Sequence, residues 1–313
     1  MIMLNSLRRA TSMGLAAIVA VVLLTSASQA QQAYPSPEDA AAALAAAVKT
    51  GTRSTILKVL GKVLGKNAED IIESGDDVAD AEMRQRFLSA YDAKHSIKAE
   101  GNKKATLILG ADDFPFPIPL VNNRTGWEFD AAAGRIEILY RRIGRNELDA
   151  IQTCLAYVDA QNEYAEKDRT GEGVGVYAQR IVSSPGKKDG LFWRDDREPS
   201  PLGELAAQAS AEGYKVTAQA APYHGYYYRI LKGQGSDAPG GALNYVVKGK
   251  MIGGFALIAY PAEYGNSGVM TFMVNHAGTV YQKDLGTRTD STAKSIYLFD
   301  PDQTWKKVDV VAP

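Results

Sequence analysis

The sequence predicts an α+β fold, with a helical N-terminal lobe carrying a small sheet, then a long helix and a C-terminal antiparallel β-sheet. Three observations predict it. Apolar residues recur at helical spacing through most of residues 36–94. A second helical run follows Asn146, with Leu148, Ile151, Leu155 and Val158 as its apolar stripe. From Tyr223 onward, short alternating runs separated by Gly and Asn turns take over, and connections that short favour antiparallel pairing.

The elements follow in order. Residues 1–30 read as a secretory signal: Arg8 and Arg9 are a basic start, residues 13–24 an uncharged apolar run, and Ser28-Gln29-Ala30 a small-residue cleavage site after Ala30. The apolar run is short for a bilayer span, so no stable membrane span is expected after cleavage. The next residues, Ala10, Thr11 and Ser12, fit a twin-arginine signal poorly. Simple export to a Gram-negative periplasm is expected, with secretion outside the cell as the alternative. Ser36 then caps a helix whose first position suits Pro37 and whose Asp39 completes a capping box, with Gly51 as its stop. A second helix places Ile56, Leu57, Leu60, Val63 and Leu64 on one side and Lys58, Lys62 and Lys66 on the other. It reads as a surface helix, with a membrane-lying helix as the alternative.

Residues 70–74 and 80–94 are expected as helices, 97–99 and 105–109 as strands. Three prolines in residues 114–119 remove three donors, so that stretch is an extended edge or crossover. Residues 126–130 read as a short strand with Trp127 and Phe129 on one face. Over residues 136–143 helical and strand spacings compete. Asn146 caps the long helix, which ends near Lys167, and Ser200-Pro201 opens another that stops at Gly213. Residues 226–231, 243–247, 253–260, 269–274 and 279–282 are strand candidates, with a hairpin turn at Asn275-His276-Ala277-Gly278. Two lobes are drawn, residues 31–145 and 146–313, with the boundary near Gly144-Arg145.

Composition narrows function. The chain has 313 residues, 45% hydrophobic and 23% charged, ordinary for a globular protein. Lys plus Arg is 35 against 36 for Asp plus Glu, which argues against nucleic acid or an anionic membrane surface as a general partner. One cysteine, Cys154, cannot close a disulfide within its own chain, and beside an apolar helix face it reads as structural. The three histidines, His95, His224 and His276, have no metal-ligand spacing, and neither a metal nor a cofactor site is read.

Motif fragments fall short of catalytic sets. Asp300 and Asp302 sit as in aspartyl-nucleophile phosphatases, but too little chain follows to supply the lysine and acidic pair that hold phosphate and magnesium. Ser291-Thr292-Ala293-Lys294 and Lys49-Thr50-Gly51 echo penicillin-binding enzymes in reversed order, without Ser-Asp-Asn. Gly171-Glu172-Gly173-Val174-Gly175 lacks the preceding strand of a dinucleotide loop and reads as a flexible loop. Two aromatic clusters remain as binding candidates. Tyr223, His224, Tyr227 and Arg229 belong to one, where alternation sends Tyr226 and Tyr228 to one face and Tyr227 and Arg229 to the other. Phe192 and Trp193, in a charged loop, belong to the second, with a tryptophan plugging a seam as the plain alternative.

Several segments resemble an exported bacterial family known as domain of unknown function 2950. They include Ser36-Pro37-Glu38-Asp39-Ala40, Phe114-Pro115-Phe116-Pro117-Ile118-Pro119, Arg141-Arg142-Ile143-Gly144-Arg145-Asn146-Glu147-Leu148, Tyr157-Val158-Asp159-Ala160-Gln161 and Asp189-Gly190-Leu191-Phe192-Trp193, with Met251-Ile252-Gly253-Gly254-Phe255-Ala256 and Tyr281-Gln282-Lys283-Asp284-Leu285-Gly286. The resemblance spans nearly all of the chain after residue 30 and brings no catalytic residues with it. Residues 40–130 are also similar in element order to small cone-shaped domains of the nuclear-transport-factor-2 type. Residues 146–285 resemble the heads of pilins and pseudopilins, without their long apolar N-terminal helix. The expectation is a non-catalytic periplasmic envelope protein that binds another protein or a cell-wall glycan. The alternatives are a hydrolase of an envelope polymer, using His224 or His276 with nearby carboxylates, and an accessory of a secretion or pilus system.

Overall fold

Ser36 and Pro37 open the first helix as their chemistry requires. Ser36 Oγ accepts the Asp39 N–H at 3.0 Å and donates to the Asp39 carboxylate at 2.7 Å, and α1 runs Pro37–Lys49. A computed structural model describes residues 31–49, 52–65, 68–195, 197–217 and 221–309. The signal peptide, the Gly51 stop and Lys66 lie outside the described residues. Helices α2 (Arg53–Leu64), α3 (Glu69–Ile72) and α4 (Asp77–Ala93) follow. The last begins three residues before the expected Asp80. Asp76 is its cap, accepting the N–H groups of Val78 and Ala79, both at 3.1 Å.

Strands β1 (His95–Glu100), β2 (Lys104–Leu109), β3 (Phe114–Pro115), β4 (Leu120–Asn122) and β5 (Trp127–Phe129) form the first antiparallel sheet, in the order β1-β2-β4-β5 with β3 on β2. The Pro-rich stretch is an edge, as its missing donors demand. Leu107, Ile118, Leu120 and Phe129 are fully buried beneath α1 and α2. Each such side chain contributes about 1.5–3 kcal/mol by leaving water.

One helix, α5 (Ala131–Ala165), replaces the two elements expected on either side of Gly144. The helical reading of residues 136–143 wins, but the buried face is not the expected apolar stripe: Ile136, Tyr140 and Leu148 are exposed, while Gly134, Arg142, Asn146 and Ala150 turn inward. Gly144 inside the run costs only about 1 kcal/mol against Ala. Asn146 is therefore no cap: it lies buried in mid-helix and its Nδ2 donates to Ser267 O at 2.9 Å. Ala131 and Ile138 pack in the N-terminal core and residues from Ala150 to Tyr164 in the C-terminal one, so α5 serves both.

Helix α6 (Gly203–Ala211) starts later than Ser200-Pro201, which form the turn before it. Then come β6 (Tyr226–Leu231), β7 (Gly233–Gln234), β8 (Leu243–Asn244), β9 (Val246–Val247), β10 (Lys250–Met251), β11 (Ala256–Pro261), β12 (Met270–Asn275), β13 (Val280–Asp284), α7 (Thr289–Ser295) and β14 (Lys306–Lys307). The main sheet is antiparallel, ordered β14-β13-β12-β11-β6, with β6 at an edge. The strand expected over residues 243–247 does not join it. The chain breaks at Tyr245, which is fully buried and donates its N–H to Lys232 O at 3.1 Å, so β8 and β9 pair in two small ribbons with β7 and β10.

Candidate functional site

The alternation of β6 sets the site. Tyr226 and Tyr228 turn toward α5. Tyr226 is fully buried with its hydroxyl donating to Met270 O at 2.9 Å, and Tyr228 lies beside Thr153 and Cys154. Tyr227 and Arg229 take the other face, where the Tyr227 ring centroid is 5.6 Å from that of Tyr260. Arg229 Nη2 donates to Ala293 O at 2.8 Å in the last turn of α7 and to Ile296 O at 2.6 Å just past it, so this guanidinium caps a helix.

A cleft of about 990 Å³ runs along the outer side of β6. Its walls come from the start of α4, from α5 and α6, and from residues 179–182 with Phe192. Phe192, Tyr223, Tyr227 and Arg229 line it together, although they come from both aromatic clusters. The acidic residues bordering it are already engaged. Asp76 Oδ2 accepts the Tyr214 hydroxyl at 2.8 Å and the Gly225 N–H at 2.9 Å, and Asp77 pairs with Arg53 at 2.8 Å. Burial and the nearby carboxylates push the Tyr214 and Tyr223 hydroxyls up, so both rings are neutral.

Two sequence-named residues fall outside this lining. Trp193 is only 8% exposed; its Nε1 donates to Glu198 O at 2.9 Å, and Arg169 and Lys188 lie over its ring at 5.7 and 5.6 Å. It plugs a seam. His224, held at φ 49°, bridges two carboxylates: Nδ1 is 3.4 Å from Asp149 Oδ2 and Nε2 is 3.2 Å from Glu212 Oε2. The Glu212 contact has ion-pair distance without hydrogen-bond alignment. Burial pushes the Asp149 carboxyl up. A general base needs a ring nitrogen facing its substrate, and here both face carboxylates. His276 sits in the hairpin turn against the Tyr245 and Phe255 rings at 5.8 and 6.2 Å, and His95 stacks on Tyr91 at 3.8 Å.

Among the described residues, no group of three His, Cys, Asp or Glu is placed to hold a metal ion. Asp300 accepts the Asp237 N–H at 2.8 Å, and Asp302 bonds the N–H and hydroxyl of Thr304 in a turn. The Gly171 loop is a turn around Asp168, which accepts the Gly171 N–H at 2.7 Å.

Residues 31–308 match the family model described as "Protein of unknown function (DUF2950)". The chain belongs to this family. No curated protein and no solved structure matches it. The DUF2950 description assigns no activity, so roles in this member rest on its geometry. Sequence reading missed Asp76, Tyr214 and Arg180. Asp76 carried a local signal, as an Asp two residues after Ser74 and just before a helical run. Tyr214 and Arg180 carried none. Arg180 borders the aromatic cleft and also a second, basic one of about 970 Å³, lined by Arg169, Lys187, Lys188 and Lys232 among others.

Proposed function

We propose that this DUF2950 member is exported, cleaved after Ala30, and works in the periplasm as a non-catalytic binding protein whose partner is an envelope protein or a cell-wall glycan. The observation that carries the reading is the aromatic cleft beside β6. It offers Phe192, Tyr223 and Tyr227, while its bordering carboxylates and the neighbouring histidine are spent on internal contacts. Concave, largely apolar sites with a few placed polar groups are the usual form of a ligand site. The hydrolase alternative gains no support from His224, whose two ring nitrogens both face carboxylates of the protein itself.

Retention of residues 31–313 on isolated peptidoglycan and on solubilised envelope proteins tests this. Phe192→Ala and Arg180→Ala run alongside; Arg180 is exposed, with only a 3.8 Å contact to Asp189, so its removal leaves the fold intact. Saturable retention by either fraction, weakened in both variants, is the expected result. No retention by any fraction removes the reading. A mature chain that does not begin at Gln31 removes its export part.

A further inference from the structure

We infer that the cleft receives an extended polypeptide segment, which pairs as an added strand with the open edge of β6. The inference rests on the binding reading above and names the class of partner. β6 ends the main sheet, with β11 on one side only. On its other side Tyr226 exchanges hydrogen bonds with Tyr223, N–H to O at 2.9 Å in one direction and 3.1 Å in the other. Across the sheet Tyr226 stands opposite Pro261, which has no N–H to give. Six residues on, Lys232 O accepts the Tyr245 N–H on that same outer side at 3.1 Å. In an antiparallel ladder, residues of one parity direct both main-chain groups to one edge. Tyr228 and Ile230 share the parity of Tyr226 and Lys232, so their N–H and C=O groups also turn away from β11. Among the described residues nothing bonds these four groups.

Among the described residues the edge is thus closed at both ends by the chain itself and open for two residues between. The cleft lies on that gap. Tyr227, Tyr228, Arg229 and Ile230 line it in succession, as a strand met edge-on does, whereas a strand met by its face contributes alternate residues. An unpaired edge is a template for another strand. A polypeptide repeats its donor and acceptor about every 6.8 Å on one edge, matching Tyr228 and Ile230; sugar hydroxyls have no such repeat. Across the cleft stand Ile181, Val182 and Phe192, with the exposed Arg180 and Lys215 at its rim. Asp76 and Asp77 are already engaged and Arg180 has Asp189 at 3.8 Å, so the rim charge with no ion pair among the described residues is that of Lys215, which is positive. The segment that fits alternates apolar residues with at least one acid.

The test uses residues 31–313 and peptides selected on it from a phage-displayed random dodecamer library, with chitotetraose as the glycan arm. The expected peptides bind saturably. Methylating their backbone nitrogens one at a time weakens binding about two- to tenfold at alternate positions and little in between, because only alternate N–H groups face β6. Ile230→Pro, which removes an outward N–H and no ladder bond, keeps the far-ultraviolet spectrum and loses binding. A library without binders, or a methylation profile without alternation, overturns the inference. Chitotetraose binding that Ile230→Pro leaves unchanged also overturns it while keeping the binding reading. Failure of both peptide and glycan, with no retention on envelope fractions, removes that reading as well.

Discussion

Cys154 lies in α5 with no exposed surface, and burial alone pushes its thiol up to about 12. The thiolate is the reactive form, so at pH 8 roughly one thiol in ten thousand is ionised. The folded chain is expected to resist a thiol-specific chromogenic disulfide at pH 8 and to react fully in guanidinium; rapid labelling without denaturant would contradict the buried placement. Asp80 makes a second residue-scale prediction. Burial raises its carboxyl above the ordinary 3.8, against the Ser74 N–H at 3.0 Å and the nearby Arg142 that favour ionisation. A group that holds its proton more tightly when folded contributes stability that is full below 3.8 and is lost as pH rises through the folded value. Asp80→Asn cannot ionise. Its stability in urea should therefore fall less than the wild type's as pH rises from about 4, and identical slopes would refute the assignment.

At the scale of elements, α5 contains a matched pair of glycines. Gly144 has open space where a Cβ would stand, whereas a Cβ on Gly134 would lie 2.7 Å from Ile118 Cα and 2.9 Å from Pro117 O. Gly144→Ala is expected to stabilise the protein by about 0.5–1 kcal/mol through the entropy of the unfolded chain. Gly134→Ala is expected to destabilise it by about 1–3 kcal/mol, because the β3–β4 connection must move away from the helix. Urea midpoints of the two variants moving in the same direction would refute this packing. Most elements were legible because their signals are local: the Ser36 cap, the lysine-opposed stripe of α2, the hairpin at Asn275. The start of α5 was not. Its first half reads as helix or strand by period alone, and Asn146 is as good a cap in sequence as any. Only the docking of Asn146 Nδ2 on Ser267 O explains an asparagine in mid-helix.

For the whole molecule, residues 31–313 fall in one compact unit. Helix α5 supplies residues to both large cores, and its buried Arg142 donates to Ile71 O at 2.8 Å and to Asn266 Oδ1 at 2.5 Å, linking residues from either end of the chain. Calorimetry is expected to give one cooperative transition. Two resolved transitions would show that residues 31–145 and 146–313 melt as separate lobes.

The sequence by itself determined the α+β class, the family and most helices and strands, because periodicity, caps and turn residues act over a few neighbours. It also named Phe192, Tyr223, Tyr227 and Arg229 as residues to watch, since aromatic density is visible in one dimension. Only the tertiary structure decided their roles. It turned Trp193 inward under Arg169 and Lys188, set Arg229 on the end of α7, and locked His224 between carboxylates from α5 and the end of α6. Among the described residues it also left the outer main-chain groups of two β6 residues without a hydrogen-bond partner. Which strand ends a sheet, and what covers its edge, depends on contacts between segments far apart in the chain, and no local pattern records that.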